Sequence, residues 1–134
     1  MNEQLSQDLA DVGRLLYEKR LTIASGGNMS VRAGNSMLIT PSGVCKGMLS
    51  GRDMIEIDIS SGEIIGKGKP SIETPFHLGI YRSRPDVNAV IHCHPVSCTV
   101  LAIQKKDLRT NLTPESLMIL GKDCLLYTSP SPRD

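Results

Sequence analysis

Two histidines separated by a single residue, His92 and His94, are the side chains of this sequence best placed to bind a metal ion. They end an apolar stretch, Val87 to His94, whose composition predicts a buried strand that stops at Pro95. Side chains two residues apart on a strand project from the same face, so both imidazoles can reach one ion. Neutral imidazole suits zinc, copper, iron or nickel, and a catalytic zinc usually has three protein ligands. From the spacing alone, two half-buried histidines at a strand end are the alternative.

Glu73 is the natural third group at such a site, because a carboxylate in the first turn of a helix can ligate a metal or act as a base. Ser71 stands where the N-cap of this helix is expected, and Pro85 follows its end. Glu73 could also serve only to complement the helix dipole. His77 lies four residues further on the same helical face and could pair with Glu73 at a metal. A packed histidine, or one that supports a ligand, is the favoured interpretation of His77.

Three loops rich in small residues form a second candidate site. They are Gly26-Gly27-Asn28 with Ser30, Thr40-Pro41-Ser42-Gly43, and the expected helix start at Ser71. Glycine lets backbone N–H groups approach an anion, hydroxyls add donors, and a helix N-terminus contributes positive potential. Together the loops could bind a phosphate, although the formal net charge is only +1. Each loop alone is equally compatible with an ordinary turn.

Lysines and cysteines are not expected to be reactive. Lys46, Lys67 and Lys69 lie in polar segments that we expect to be exposed, rather than in the apolar pocket that an imine-forming lysine needs. The four cysteines are irregularly spaced, which favours reduced thiols over a disulfide framework or a CxxC metal site.

The elements that must position these groups alternate between helix and strand. The patterns predict helices over Leu5 to Arg20, from Ser71 to before Pro85 and over Ser97 to Gln104, and strands within Ala24 to Arg32, Met37 to Thr40, Arg52 to Asp58, Ile64-Ile65 and Val87 to His94. The hairpin turn at residues 60–63 argues against a purely parallel sheet. We therefore expect an α/β fold, a layered α/β/α domain with a central mixed, largely antiparallel sheet.

Composition limits the possible partners and location. The chain has 134 residues, of which 40% are hydrophobic, enough for one domain with a core. Its 15 basic and 14 acidic residues are spread along the chain, so we expect binding to neither nucleic acid nor membrane surface. The N-terminus is polar and acidic, and no apolar run approaches the roughly 20 residues of a membrane span. We expect a cytoplasmic protein.

The stretch 124–134 has no amphipathic period and ends in a Ser-Pro repeat. It resembles an in-frame translation of the transposase-end adapter used in preparing DNA sequencing libraries. We therefore expect a natural domain over residues 1–123, incomplete at its C-terminus, followed by a non-native tail.

In their order along the chain, the motifs resemble the class II aldolase/adducin family, particularly its fuculose-phosphate aldolase branch. They are Gly-Asn-x-Ser-x-Arg at 27–32, Thr-Pro-Ser-Gly at 40–43, Lys-Pro-Ser-x-Glu at 69–73, Arg-Pro-Asp at 84–86 and His-x-His at 92–94. The resemblance implies zinc ligation by His92, His94 and Glu73, with Glu73 also the acid/base. A third histidine would lie in a C-terminal segment that this chain lacks, so we expect the chain as given to be inactive.

The resemblance further implies a lyase that cleaves a ketose phosphate to glycerone phosphate and an aldehyde through a metal-stabilised enediolate. The substrate phosphate would be bound by Gly27, Asn28, Ser42, Gly43 and Ser71. A homotetramer with shared sites is the implied assembly. Ile72 stands where these aldolases usually carry a second serine, which removes one hydroxyl donor from the phosphate site.

Other activities remain open at this stage. The same family includes sugar-phosphate dehydratases, decarboxylases and 4-epimerases, and the non-catalytic head domain of adducin shares the fold. Thr40 and Glu73 stand where the epimerases tend to carry lysine and aspartate, which disfavours that branch. A zinc hydrolase would not by itself need the phosphate loops.

Overall fold

A computed structural model describes residues 2–106, 109 and 113–120, with the backbone alone at position 120. The chain divides into two compact units, Met1–His94 and Pro95–Asp134. The expected tail at 124–134 lies outside the described residues. Within the described part of the chain, no helix is both long and apolar enough to cross a lipid bilayer.

The first helix, α1, spans Glu3–Glu18, in agreement with the apolar period. Asn2 caps it, because its side-chain oxygen accepts a hydrogen bond from the backbone N–H of Leu5 at 3.2 Å. Its buried face carries Ser6, Leu9, Ala10 and Gly13.

Five strands form the sheet, and each pairing among the described strands is antiparallel. In chain order they are β1 (Asn28–Ala33), β2 (Ser36–Ile39), β3 (Ile55–Asp58), β4 (Ile64–Ile65) and β5 (Ala89–His92), arranged as β4-β3-β2-β1-β5. The expected hairpin is the β3–β4 pair. The largely antiparallel α/β fold predicted from the sequence is confirmed.

A helix packs on each face of this sheet. Helix α2 spans Thr74–Ser83 and buries Leu78 and Tyr81 against side chains from β2, β3 and β5, namely Met37, Ile39, Ile55, Ile57 and Val90. On the other face, Leu9 and Ala10 of α1 belong to a cluster with Met29, Leu38, Leu49 and Met54. Successive side chains of a strand point to opposite faces, so the sheet has an apolar surface on each face. The two helices cover these surfaces and give the expected three layers.

One boundary prediction and one burial prediction need correction. The α2 helix has Glu73 as its N-cap, so the expected N-cap at Ser71 was wrong by two residues. The side chain of Ser71 instead accepts a hydrogen bond from the backbone N–H of Glu73 at 3.3 Å. Strand β5 is buried on one face only, because Ile91 is 52% exposed on the face opposite Val90. The apolar composition of β5 is that of a strand buried on both faces, so composition alone did not reveal that one face is exposed.

The second unit contains two described helices, α3 (Val96–Ile103) and α4 (Pro114–Leu120). Helix α3 agrees with the prediction over Ser97 to Gln104. Helix α4 begins after Thr113, whose hydroxyl accepts a hydrogen bond from the backbone N–H of Ser116 at 3.1 Å. Cys45 and Cys98 are free cysteines in the described part of the chain.

Candidate active site

Glu73 and His92 meet where the start of α2 lies over the end of β5. Glu73 Oε2 is 2.8 Å from His92 Nδ1, and the two side chains are 35% and 24% exposed. His94 follows the strand, and its ring centroid is 4.6 Å from that of His92. The structure therefore brings together the three side chains that the sequence nominated for metal binding and acid/base chemistry.

The close contact between Glu73 and His92 does not have hydrogen-bond geometry. His92 Nδ1 is buried and has no hydrogen-bond partner among the described residues, despite its 2.8 Å approach to Glu73 Oε2. An imidazole nitrogen and a carboxylate oxygen this close together can both act as ligands of one cation. Imidazole and carboxylate are also zinc-binding groups, so this donor set fits a metal in kind. Among the described residues, however, no group of three His, Cys, Asp or Glu side chains is arranged to hold an ion.

Asn28 joins this pair from the neighbouring strand. The β1–β5 register places Asn28 opposite His92. Its amide nitrogen donates a hydrogen bond to Glu73 Oε2, and its amide oxygen contacts His77 Nε2. Asn28 is 4% exposed. The residue predicted for phosphate binding thus also contacts the predicted acid/base.

His77 lies fully buried beneath this site. Its Nδ1 is 2.6 Å from the hydroxyl of Ser30, and that hydroxyl is 2.8 Å from the hydroxyl of Tyr81. Both ring nitrogens of His77 therefore have protein partners, which supports the packed interpretation over a metal pair with Glu73. Ser30, predicted to lie at the anion-binding loop, is instead 0% exposed and contacts side chains of α2. Tyr81 was not nominated at all, and its position four residues after His77 on α2 was the only sequence indication.

Burial lowers the pKa of His77 to about 4, with a further lowering from His92 and an opposing effect of Glu73. Because this pKa lies below the ordinary value of 6.5, the folded protein favours the neutral ring. The resulting stability is fully present above pH 6.5 and is lost as the pH falls towards 4.

We expect the metal-free protein to lose about 3 kcal/mol of unfolding free energy between pH 6.5 and 4 through His77 alone. The measurement is denaturant unfolding at several pH values for the wild type and His77→Gln. The glutamine variant should be less stable near neutral pH but should have a flatter pH dependence. Equal slopes for the two proteins in this window would contradict the prediction.

Two of the three small-residue loops are tied to each other by backbone contacts. The N–H of Ser42 donates to the carbonyl of Lys69 at 3.0 Å, and Pro41 pairs with Pro70 in an isolated bridge. These contacts join the loop that contains Gly43 to the loop that leads to Ser71. A Cβ added to Gly43 would meet nothing within 4 Å. This loop therefore presents an open surface to which a ligand could gain access.

Lys46 joins Ser25, just before the Gly26–Asn28 loop, to Val44, just after the Thr40–Gly43 loop, and the expectation that it is exposed was wrong. It is 2% exposed, and its ammonium donates hydrogen bonds to the carbonyls of Ser25 at 3.1 Å and Val44 at 2.9 Å. Burial lowers its pKa. The long aliphatic stem of a lysine can be buried when its charged end reaches carbonyl oxygens. Its neighbours Val44, Cys45 and Met48 are apolar, and they were the sequence signal for this burial.

Gly27 allows the start of β1 to approach the end of β5 closely. Its φ angle is +67°, and a Cβ at this position would overlap the backbone carbonyl oxygen of His92. Gly34 has a similar φ of +64°, but a Cβ there would meet nothing within 4 Å. The two glycines therefore share the same backbone requirement and differ only in the space around them.

We expect Gly27→Ala to lower the free energy of unfolding by about 2–5 kcal/mol, combining left-handed strain with overpacking. Gly34→Ala, the matched control, should lose only about 1–2 kcal/mol because it carries the strain alone. Denaturant unfolding of both variants measures the difference. Equal losses would show that the approach of Gly27 to His92 does not limit the substitution.

Comparisons with known proteins agree with this fold. The family described as "Class II Aldolase and Adducin N-terminal domain" matches residues 7–133. A relative named L-fuculose phosphate aldolase, from Methanococcus maripaludis, is 42% identical over 109 residues, which cover 81% of this chain and 59% of the relative. A methylthioribulose-1-phosphate dehydratase from Pseudomonas syringae is 41% identical over 101 residues, 75% of this chain and 50% of the relative.

The solved structure of l-fuculose-1-phosphate aldolase from Thermus thermophilus is also similar. It shares 32% sequence identity and a TM-score of 0.76, over 90% of this chain and 61% of that chain. The chain therefore belongs to the class II aldolase and adducin family, which confirms the resemblance found in its motifs. It spans about half to two thirds of the length of these three relatives.

Proposed function

We propose that this chain is the N-terminal part of a zinc-dependent class II aldolase that cleaves a ketose phosphate to glycerone phosphate and an aldehyde. The observation that carries the proposal is the 2.8 Å approach of Glu73 Oε2 to the otherwise unpartnered Nδ1 of His92. Similarity to proteins named as fuculose-phosphate aldolases supports it. In this proposal the enzyme is a cytoplasmic homotetramer.

In this proposal His92, His94 and Glu73 hold one zinc ion per subunit, and a third histidine from outside the described residues completes the set. Imidazole nitrogens and a carboxylate are the usual ligands of a catalytic zinc. When bound, the ion supplies a Lewis acid that stabilises negative charge on the oxygens of the substrate.

Glu73 is the proposed acid/base. Its carboxylate lies at the N-cap of α2 and contacts both Asn28 and His92, so its position is fixed from two strands. As the carbon–carbon bond breaks, a substrate hydroxyl gives up its proton and becomes the carbonyl group of the aldehyde product. The carbon of glycerone phosphate takes up a proton at the end, and Glu73 carries protons in this exchange.

Gly27, Asn28, Ser42, Gly43 and Ser71 are the proposed phosphate-binding residues. The contacts through Lys46 and Lys69 that join their loops support this role, because a phosphate needs several donors held at fixed separations. Backbone N–H groups and hydroxyls can bind a phosphate in this way without an excess of basic residues.

The test is to incubate the complete gene product, loaded with zinc, with a panel of ketose 1-phosphates and to measure glycerone phosphate. Release of glycerone phosphate that depends on zinc is the expected result. Zinc binding without any cleavage of the panel would remove the aldolase proposal.

The similarity to a methylthioribulose-1-phosphate dehydratase favours a second candidate, loss of water from a sugar phosphate. The same arrangement of acid/base and metal-binding groups could serve that reaction. Mass spectrometry of the products separates the two, because dehydration leaves the carbon chain whole and lowers its mass by one water. No product of either kind would leave the decarboxylases, the 4-epimerases and the non-catalytic members of the family as models.

A further inference from the structure

A chain of polar side chains runs from the core to Glu73. Tyr81, Ser30, His77 and Asn28 are 2%, 0%, 0% and 4% exposed. Each contacts the next through a hydrogen-bonding atom, and Asn28 finally contacts Glu73. Burying so many polar groups in a small domain is costly unless each one is paired.

The direction of each hydrogen bond follows from the last group in the chain, the Glu73 carboxylate. An ionised Glu73 carboxylate can only accept, so the Asn28 amide must present its NH₂ to Glu73 and its oxygen to His77. His77 must then carry its hydrogen on Nε2, which leaves Nδ1 as an acceptor. The Ser30 hydroxyl donates to that Nδ1 and accepts from the hydroxyl of Tyr81.

Every hydrogen in this chain therefore points towards Glu73, and one arrangement satisfies all five side chains. The opposite Asn28 orientation would place its amide oxygen against the carboxylate oxygen of Glu73, two acceptors with no hydrogen between them. It would also require the opposite tautomer of His77. Ser30 would then have to accept from His77 rather than donate.

We propose that Tyr81, Ser30 and His77 are positioning residues that fix the amide orientation of Asn28 and thereby hold the Glu73 carboxylate at the site. The catalytic effect of holding Glu73 rests on the proposed function, whereas the orientation of the Asn28 amide is independent of it. The strand period supplies the geometry, because Asn28 and Ser30 lie on the face of β1 that is covered by α2. Tyr81 and His77 meet them from one face of that helix.

The first test is nitrogen-15 NMR of the imidazoles in the complete, isotope-labelled protein near neutral pH, with and without zinc. His77 is assigned by the resonances that disappear in His77→Gln. The expected result is a neutral ring with hydrogen on Nε2 and an unprotonated Nδ1 in both samples. Hydrogen on Nδ1 would overturn the proposal, whether or not the protein turns over any substrate.

The second test removes single hydroxyls. Ser30→Ala and Tyr81→Phe should each lower kcat by about 10- to 100-fold at saturating zinc, the usual cost of losing a group that orients a metal ligand or catalytic residue. KM should rise in the same two variants, because Asn28, whose orientation they disturb, also belongs to the proposed phosphate-binding set. Ser83→Ala and Tyr17→Phe, which remove more exposed hydroxyls, are the matched controls.

The outcomes separate this proposal from the proposed function. Ser30→Ala that folds, binds zinc and keeps wild-type kcat would overturn the positioning role even in an active aldolase. A wild type with the Nε2 tautomer but no activity on sugar phosphates would support the orientation of Asn28 and remove only the proposed reaction. Tyr81→Phe keeps the ring that packs in the core, so it supplies a test if Ser30→Ala fails to fold.

Discussion

Glu73→Gln is expected to lower kcat for the zinc-loaded complete protein by about 10²–10⁴-fold, the usual contribution of a general acid/base. Glutamine has the shape of glutamate, and its amide oxygen can still accept the hydrogen bond from Asn28. Positioning is therefore largely kept, while proton transfer is lost. The measurement is steady-state kinetics at saturating zinc, with the metal content of each sample determined beside it.

Glu63→Gln is the matched control, because Glu63 is exposed in the β3–β4 turn and makes no contact with the site side chains described above. It should retain wild-type kcat and KM. If Glu73→Gln retained activity within about threefold while binding zinc, another residue would have to be the acid/base. A loss of zinc in Glu73→Gln would instead assign the carboxylate chiefly to metal binding.

His92→Ala is expected to weaken zinc binding at least about a hundredfold. Loss of a group that merely supports a metal ligand costs about 10- to 100-fold in affinity, so loss of a ligand should reach or exceed the upper end of that range. The unpartnered Nδ1 beside Glu73 is the physical reason for choosing this residue first. Competition titration with a zinc-binding dye measures the change without any need for turnover.

Ile91→Ala is the control for this substitution. Ile91 precedes His92 on β5 but lies on the opposite face and is 52% exposed. Its removal tests whether any change in this strand disturbs the metal. Zinc affinity in His92→Ala within about threefold of the wild type would show that His92 is not a ligand.

Local patterns in the sequence determined the order of the elements and the identity of the metal-site candidates. The apolar period of α1, the β3–β4 turn and the His-x-His strand end are properties of neighbouring residues, so they can be recognised without a fold. Errors at this level were small, such as the N-cap assigned to Ser71 instead of Glu73. Glu73 is the N-cap without a side-chain capping hydrogen bond, whereas the Ser71 hydroxyl two residues earlier accepts a hydrogen bond from the backbone N–H of Glu73.

Only the tertiary structure decided which polar residues are buried and what they contact. Asn28 and Glu73 are 45 residues apart in sequence, and Ser30 and Tyr81 are 51 apart. No local pattern distinguishes a serine that faces an anion from one that lies under a helix. The partners of Lys46 are likewise two carbonyls that the folded loops bring to its ammonium. The sequence by itself therefore determined the candidate chemical groups and the strands and helices that carry them, whereas their partners and burial depended on contacts between distant segments.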